Sequence, residues 1–257
     1  MRIRSLAVRL LTGLSLTAQV PQEKEVALGK QLAAEFRRKT TAIDNPKVQN
    51  TSTASDKSYR PKWPEARFPF TFSAVVEDPC RITHQPAALP GGYVFVPAAL
   101  FLAVPDEAEF AGMLAKAMGY TLQPPATHTI ANVSSIPLIF IGSWSGACSD
   151  ARAIPRALVA SERSAEWEAG VLAVETMARA GFDPQALVRY VRRVQYAPSV
   201  RDERVPSLTA AIENLPAANC AAAPSDDFAT ARQEVRRLVE QPVRPEAAPS
   251  LVRKKPY

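Results

Sequence analysis

The spacing of apolar and polar residues predicts a mostly helical chain with a few short strands. Apolar residues recur every three or four positions in several stretches, which is typical of helices that bury one face. These stretches are 22–38, 104–121, 154–180, 183–194, 207–214 and 227–240. Alternating or β-rich apolar residues at 68–76 and 93–96 predict two strands. The pattern therefore indicates an α+β fold that is mainly helical and contains a small sheet.

The stretch 104–121 predicts the helix around which the rest of the chain is organised. Asp106 is a helix N-cap signal, and Glu107 and Glu109 follow in the first turn, where the helix dipole stabilises negative charge. We therefore interpret the two glutamates as dipole-stabilising residues rather than as an acid–base pair. The apolar face of this helix consists of Phe110, Met113, Leu114, Ala117 and Met118.

The two ends of the chain and one internal stretch differ from this pattern. Three arginines precede a short apolar run from Leu10 to Ala18, which predicts a signal peptide over 1–19; a retained apolar helix is the alternative. The polar stretch 50–64 predicts a mobile loop, and the Pro-rich basic stretch 241–257 predicts a disordered tail. The folded domain is thus expected over 22–240, in an exported protein that is periplasmic or secreted.

The charge of the chain does not indicate a nucleic-acid partner. The formal charge is +6, but the three arginines of the signal contribute half of it, and 253–255 form another basic cluster. The remaining charges are nearly balanced, so no basic surface for nucleic acid is expected. No stretch after the signal has the roughly 18 apolar residues of a transmembrane helix, so no stable membrane span is expected in the mature chain.

The three cysteines give no metal-binding pattern. Cys80, Cys148 and Cys220 are far apart and lack the close spacing of zinc-ligand pairs. One disulfide with one free thiol and three isolated buried thiols are both compatible with this spacing. We therefore leave their redox state open.

Several segments together resemble the exported metallopeptidases related to the CAAX prenyl protease, the HtpX-like group of metallopeptidase family 48. The most specific are Leu-Pro-Gly-Gly-Tyr-Val-Phe-Val at 89–96 and Asp-Glu-Ala-Glu at 106–109. The segments follow the order of the family across about 22–240, and they are Glu23–Lys30, Ala88–Val96, Asp106–Gly112, Glu166–Gly170, Met177–Pro184 and Arg201–Val205. The resemblance implies a zincin-like (gluzincin) fold, in which an edge strand of a small sheet flanks the central helix.

The residues of the family's metal site are mostly replaced in this chain. Where the family carries His-Glu-x-x-His, with two zinc ligands and a general base, this sequence has Lys116, Ala117 and Tyr120. The resemblance maps the third ligand onto Glu166, the only family ligand that is retained. It maps the aspartate that supports a ligand histidine onto Gly170. We expect Lys116 to pair with Glu166 in place of the metal, with the Tyr120 hydroxyl as a third member.

Two further positions complete the comparison with the family. A histidine of a later His-Pro pair corresponds to Ala197, and Arg204 belongs to the arginine motif that follows it. The two histidines of the chain, His84 and His128, lie before and after the central helix and occupy no ligand position. We expect both to be ordinary surface residues.

These replacements predict a pseudo-metallopeptidase that uses no cofactor, although zinc is the cofactor of the family. We expect it to bind polypeptide or a protein partner along the strand formed by Tyr93, Val94, Phe95 and Val96, by β-strand addition at a sheet edge. An active zinc-dependent metalloendopeptidase with a rearranged metal site is the alternative. A purely structural paralogue without a ligand is a third possibility.

Overall fold

A computed structural model describes residues 21–59, 68–76, 84–122, 156–194, 198–216 and 225–240 of the chain. This part is an α+β structure, mostly helical, with a mixed four-stranded sheet, as the apolar pattern predicts. The helices are α1 (Gln22–Lys39), α2 (Pro46–Tyr59), α3 (Ala98–Ala103), α4 (Glu107–Leu122), α5 (Arg156–Ala180), α6 (Gln185–Val194), α7 (Pro198–Glu213) and α8 (Asp226–Glu240). The strands are β1 (Thr41–Ala42), β2 (Thr71–Val76), β3 (Ala87–Leu89) and β4 (Tyr93–Pro97).

The predicted signals for helix ends are confirmed at the central helix and at α5. The Asp106 carboxylate accepts a hydrogen bond of 2.9 Å from the backbone N–H of Glu109, as an N-cap does. Gly181 directly follows α5 and has a φ of +85°, a left-handed backbone conformation that residues with a Cβ rarely adopt. Local chemistry therefore sets both boundaries.

The sheet has the strand order β1–β2–β4–β3, so β4 lies inside it. β4 pairs in parallel with β2 on one side and antiparallel with β3 on the other. The expectation that Tyr93–Val96 forms an edge strand is therefore wrong. The cause is the turn Pro90–Gly92, in which Gly91 and Gly92 adopt φ +75° and +84° and fold β3 back onto β4.

Each face of the sheet is covered by helices. On one face Phe95 stacks on Phe36 of α1, with ring centroids 4.2 Å apart. On the other face Val94 and Val96 belong to the main core, which also contains the apolar side of α4. Because both faces are covered, the side chains of Val94, Phe95 and Val96 are buried and Tyr93 is only half-buried.

The polar stretch predicted as a mobile loop is helical where the structure describes it. α2 starts after Asn45, whose side-chain oxygen accepts a hydrogen bond of 3.0 Å from the Lys47 N–H. Val48 is fully buried, and the Thr51 hydroxyl donates to the Lys47 carbonyl at 3.0 Å. The helix packs against α8 and β2. The loop prediction is thus wrong for 50–59, since tertiary contacts stabilise this polar helix, and 60–64 lies outside the described residues.

The central helix α4 packs most extensively against α5. A Cβ added at Gly112 would lie 3.0 Å from the Met177 sulfur, and one at Gly119 would lie 3.1 Å from the Ala169 carbonyl oxygen. The two helices therefore run antiparallel and approach closely. None of the helices described is long and apolar enough to cross a membrane.

Candidate functional site

The candidate site lies where Lys116 leaves the central helix. Lys116 follows Gly112 by four residues and precedes Gly119 by three, so all three lie on the side of α4 that faces α5. Lys116 is only 6% exposed. A lysine this buried is rare, because its ammonium loses most of its hydration. Lys116 therefore places a buried polar side chain in the apolar interface between α4 and α5.

Lys116 borders a small cavity formed by four helices. The cavity has a volume of about 30 Å³, and its other lining residues are Trp167 and Gly170 of α5, Leu187 and Val191 of α6, and Ser207 and Leu208 of α7. Trp167 is 55% exposed, so the cavity lies near the protein surface. A drug-sized ligand needs roughly 300 Å³ or more. A cavity of this size accommodates a few small atoms only.

The structure brings together Lys116 and Gly170, two positions of the predicted site, as lining residues of one cavity. A Cβ at Gly170 would lie 3.1 Å from a methyl group of Leu208, so Gly170 packs closely against an apolar side chain of α7. Glu166 lies in α5, but its side chain is outside the described part of the structure. The ion pair between Lys116 and Glu166 therefore stays a prediction.

The other two positions of the central helix that the resemblance assigns to the metal site differ in their surroundings. Ala117 is buried in the main core and Tyr120 is half-buried. Zinc is held by imidazole nitrogen, thiolate sulfur or carboxylate oxygen. Neither an ammonium nor a methyl side chain supplies such an atom, and a phenol does so only after losing its proton. Lys116, Ala117 and Tyr120 therefore do not fit a zinc ion.

Other groupings of metal ligands are not found among the described residues, where no three histidine, cysteine, aspartate or glutamate side chains converge. His128, Ala197 and the three cysteines lie outside the described ranges, and for Arg204 only the backbone, in α7, is described. His84 lies next to the start of β3, and its carbonyl accepts a hydrogen bond of 2.7 Å from the Tyr190 hydroxyl of α6. Burial lowers the pKa of the His84 imidazole.

A cluster of acids and arginines at the start of α4 was not predicted. Glu109 is 2% exposed, and its carboxylate accepts a hydrogen bond from the Arg193 guanidinium of α6. Arg189, one turn earlier, approaches the other carboxylate oxygen to 3.9 Å. Burial raises the pKa of Glu109, and the positive charge of Arg193 opposes that rise. Glu109 therefore links α4 to α6. Its interpretation as a dipole-stabilising residue did not include this contact.

The neighbouring acids also form tertiary contacts. Asp106 lies 3.6 Å from Arg189, which in turn pairs with Asp183 at 2.6 Å. Glu107 accepts a hydrogen bond of 2.7 Å from the backbone N–H of Ser225, just before α8. The only sequence signal for this cluster was the cationic face of 183–194, where arginines recur at 189, 192 and 193. A helical plot of that segment would have shown them, but not their partners.

Comparison with known proteins does not identify a relative of this chain. No protein-family model matches it, and no curated protein matches it.

Proposed function

We propose that the chain has a zincin-like metallopeptidase fold whose catalytic site is degenerate, and that it is exported and does not hydrolyse peptide bonds. The observation that carries this proposal is the burial of Lys116 on α4. The family resemblance assigns the first zinc ligand to this position. An ammonium there repels a divalent cation, and Ala117 supplies no base to activate a water molecule. The loss of ligand and base together removes the chemistry of a zinc peptidase.

A protease assay tests this loss of activity. The purified full-length protein is incubated with casein, with and without a chelator, and its zinc content is measured by elemental analysis. We expect neither stoichiometric zinc nor chelator-sensitive cleavage. Cleavage that disappears with chelator and returns with zinc would instead establish the alternative, an active zinc endopeptidase with a rearranged site.

A reconstruction experiment tests the correspondence with the family. The variant Lys116→His, Ala117→Glu, Tyr120→His restores the two helix ligands and the base, and Glu166 would supply the third ligand. We expect this variant to retain more zinc after dialysis than the unmodified protein. The same variant with Glu166→Gln is the control, and it should lose that zinc. Equal zinc in all three proteins would count against the assignment of these positions.

We further propose that the protein binds extended polypeptide at the outer edge of β3. β3 is the last strand in the sheet order, and α4 packs alongside it. Backbone N–H and C=O groups at a sheet edge recruit an additional strand without any metal. The polypeptide-binding role predicted for β4 is thus transferred to β3, whose outer edge pairs with no strand among the described residues.

Proline substitutions test binding at β3. Consecutive residues of an antiparallel strand direct their N–H groups alternately toward the paired strand and away from it. One of Ala87→Pro and Ala88→Pro therefore removes an outward donor, and the other disrupts the pairing with β4. We expect the variant that stays folded to bind fluorescent casein about tenfold more weakly, which corresponds to about 1.4 kcal/mol.

The opposite edge of the sheet provides a matched control. Thr41→Pro and Ala42→Pro alter β1, a strand of two exposed residues at the other end of the sheet order. They should leave the affinity for casein unchanged. An equal loss at both edges, or no loss in the folded β3 variant, would show that β3 is not the binding edge. If the unmodified protein does not bind casein in a fluorescence anisotropy titration, the polypeptide-binding role is wrong.

A further inference from the structure

The connection between α3 and α4 is held by side chains from two other helices. The Arg193 guanidinium donates to the Ala103 carbonyl at 2.6 Å and also to the Glu109 carboxylate. Arg232 of α8 donates to the Pro105 carbonyl at 3.2 Å. Arg193 is therefore the side chain that links the last turn of α6 to both ends of this connection.

The charges around Glu109 come mainly from one helix. α6 contributes Arg189 and Arg193, and the loop before α6 contributes Asp183, which pairs with Arg189. Asp106, directly before α4, adds a second negative charge near Glu109. β3 and α3 contain no ionisable residue. The charged residues of α5 near this end of α4, Glu175 and Arg179, pair with each other at the exposed surface.

Glu109 and Arg193 differ in their access to water. Glu109 is almost completely buried, whereas the Arg193 side chain is 43% exposed. Breaking this pair leaves Arg193 free to be hydrated, but leaves the Glu109 carboxylate buried, with Arg189 3.9 Å away as its remaining cation. A buried carboxylate that loses its cation is costly unless it takes up a proton.

We propose that Glu109 and Arg193 form an acid-sensitive latch. When Glu109 takes up a proton, Arg193 moves into solvent and the last turn of α6 separates from the connection between α3 and α4. Glu109 stays buried in its neutral form. The chain remains folded because the apolar contacts of α4 do not depend on this charge.

Proton linkage fixes the direction of the change. Arg193 lowers the pKa of Glu109 and burial raises it, so the pKa rises further once Arg193 has left. Protons therefore favour the released state over the latched state, by at most about tenfold per pH unit for one group. The pKa in the latched fold already exceeds the ordinary value of 4.5. Because its pKa is higher in the folded chain than in the unfolded chain, protonated Glu109 stabilises the fold below pH 4.5. This contribution is lost as the pH rises through the folded-state pKa of Glu109. Protonation of Glu109 therefore does not cause unfolding.

Hydrogen exchange of the full-length protein measures the latch. Protection factors, corrected for the intrinsic exchange rate at each pH, are obtained for peptides covering 185–194 and 98–106 between pH 7 and about 4.5. We expect protection at the end of α6 to fall on acidification by up to about tenfold per pH unit. Protection in β4 and the middle of α4 should stay constant.

Two variants separate the latch from general acid effects. Glu109→Gln is neutral at every pH and should show low protection of 185–194 that no longer changes with pH. Glu175→Gln, which removes an exposed carboxylate paired with Arg179, should behave like the unmodified protein. The proposal is wrong if protection of 185–194 in the unmodified protein does not change with pH, or if β4 loses protection in parallel. Both results come from the unmodified protein, so they decide the question even if Glu109→Gln does not fold.

Discussion

Removing Arg193 should destabilise the fold much more than removing an arginine of similar surface exposure. Arg193→Met takes away a hydrogen bond to the Ala103 carbonyl and the cation beside a carboxylate that is 2% exposed. Two charges about 4 Å apart interact by roughly 4 kcal/mol at an effective dielectric constant of 20. Breaking a fully buried pair costs about 3–5 kcal/mol.

Two features of the structure reduce that figure. The Arg193 side chain is 43% exposed, so water screens part of the interaction. Arg189 also remains 3.9 Å from the carboxylate after the substitution. We therefore expect Arg193→Met to lower the free energy of unfolding by about 2–3 kcal/mol, at or just below the lower end of the range for fully buried pairs.

A double-mutant cycle with urea unfolding at pH 7 checks this value. Glu109→Gln in the Arg193→Met background should recover about 1–2 kcal/mol, because the buried charge is then absent. Arg179→Met, which breaks a pair with Glu175 on an exposed helix face, is the control and should cost less than about 0.5 kcal/mol. A cost of Arg193→Met as small as that of the control, or strictly additive effects in the cycle, would refute the reasoning.

Three further predictions concern the central helix and the N-terminus. Lys116→Met and Glu166→Gln should each cost about 3 kcal/mol if the two side chains pair in a buried site, with partial recovery in the double variant; additive, near-zero changes would exclude the pair. Gly119→Ala should destabilise the protein, because the added Cβ meets the Ala169 backbone at 3.1 Å. Gly112→Ala should be less destabilising than Gly119→Ala, because the added Cβ meets the end of the flexible Met177 side chain at 3.0 Å and the Leu187 Cβ at 3.3 Å rather than backbone, and alanine gains about 1 kcal/mol of helix propensity. Equal melting temperatures for the two variants would contradict this contrast. N-terminal sequencing of the protein from its native envelope fraction should find a start near residue 19 or 20, whereas an intact Met1 in the cytosol would exclude the predicted signal.

Much of the local structure could be predicted because it depends on neighbouring residues. The N-cap at Asp106 and the stop at Gly181 follow from backbone hydrogen bonding and from the φ angles available to glycine. The long amphipathic helices follow from apolar residues spaced every three or four positions. For α4 this spacing predicts one buried face, which includes Ala117, whereas every residue from 109 to 119 is buried in the structure.

Part of the candidate site could also be predicted. The position of Lys116 on the helix follows from the sequence at 116–120. The spacing does not show that Gly170 lies across from Leu208, because these residues belong to helices separated along the chain. It also does not show the partners of Glu109, since Arg189 and Arg193 lie 80 and 84 residues later.

The tertiary structure alone decided which strand lies at the edge of the sheet and whether the polar stretch 50–59 is helical. The residues of β4 have the same strand propensity inside a sheet as at its edge, and only the return of 87–89 along β4 determines its place. α2 has few apolar residues, so its apolar spacing does not predict a helix. Packing against α8 and β2 stabilises it instead. The sequence by itself determined the helices and strands whose signals are local, whereas contacts between distant segments decided how those elements are paired and which surfaces they leave exposed.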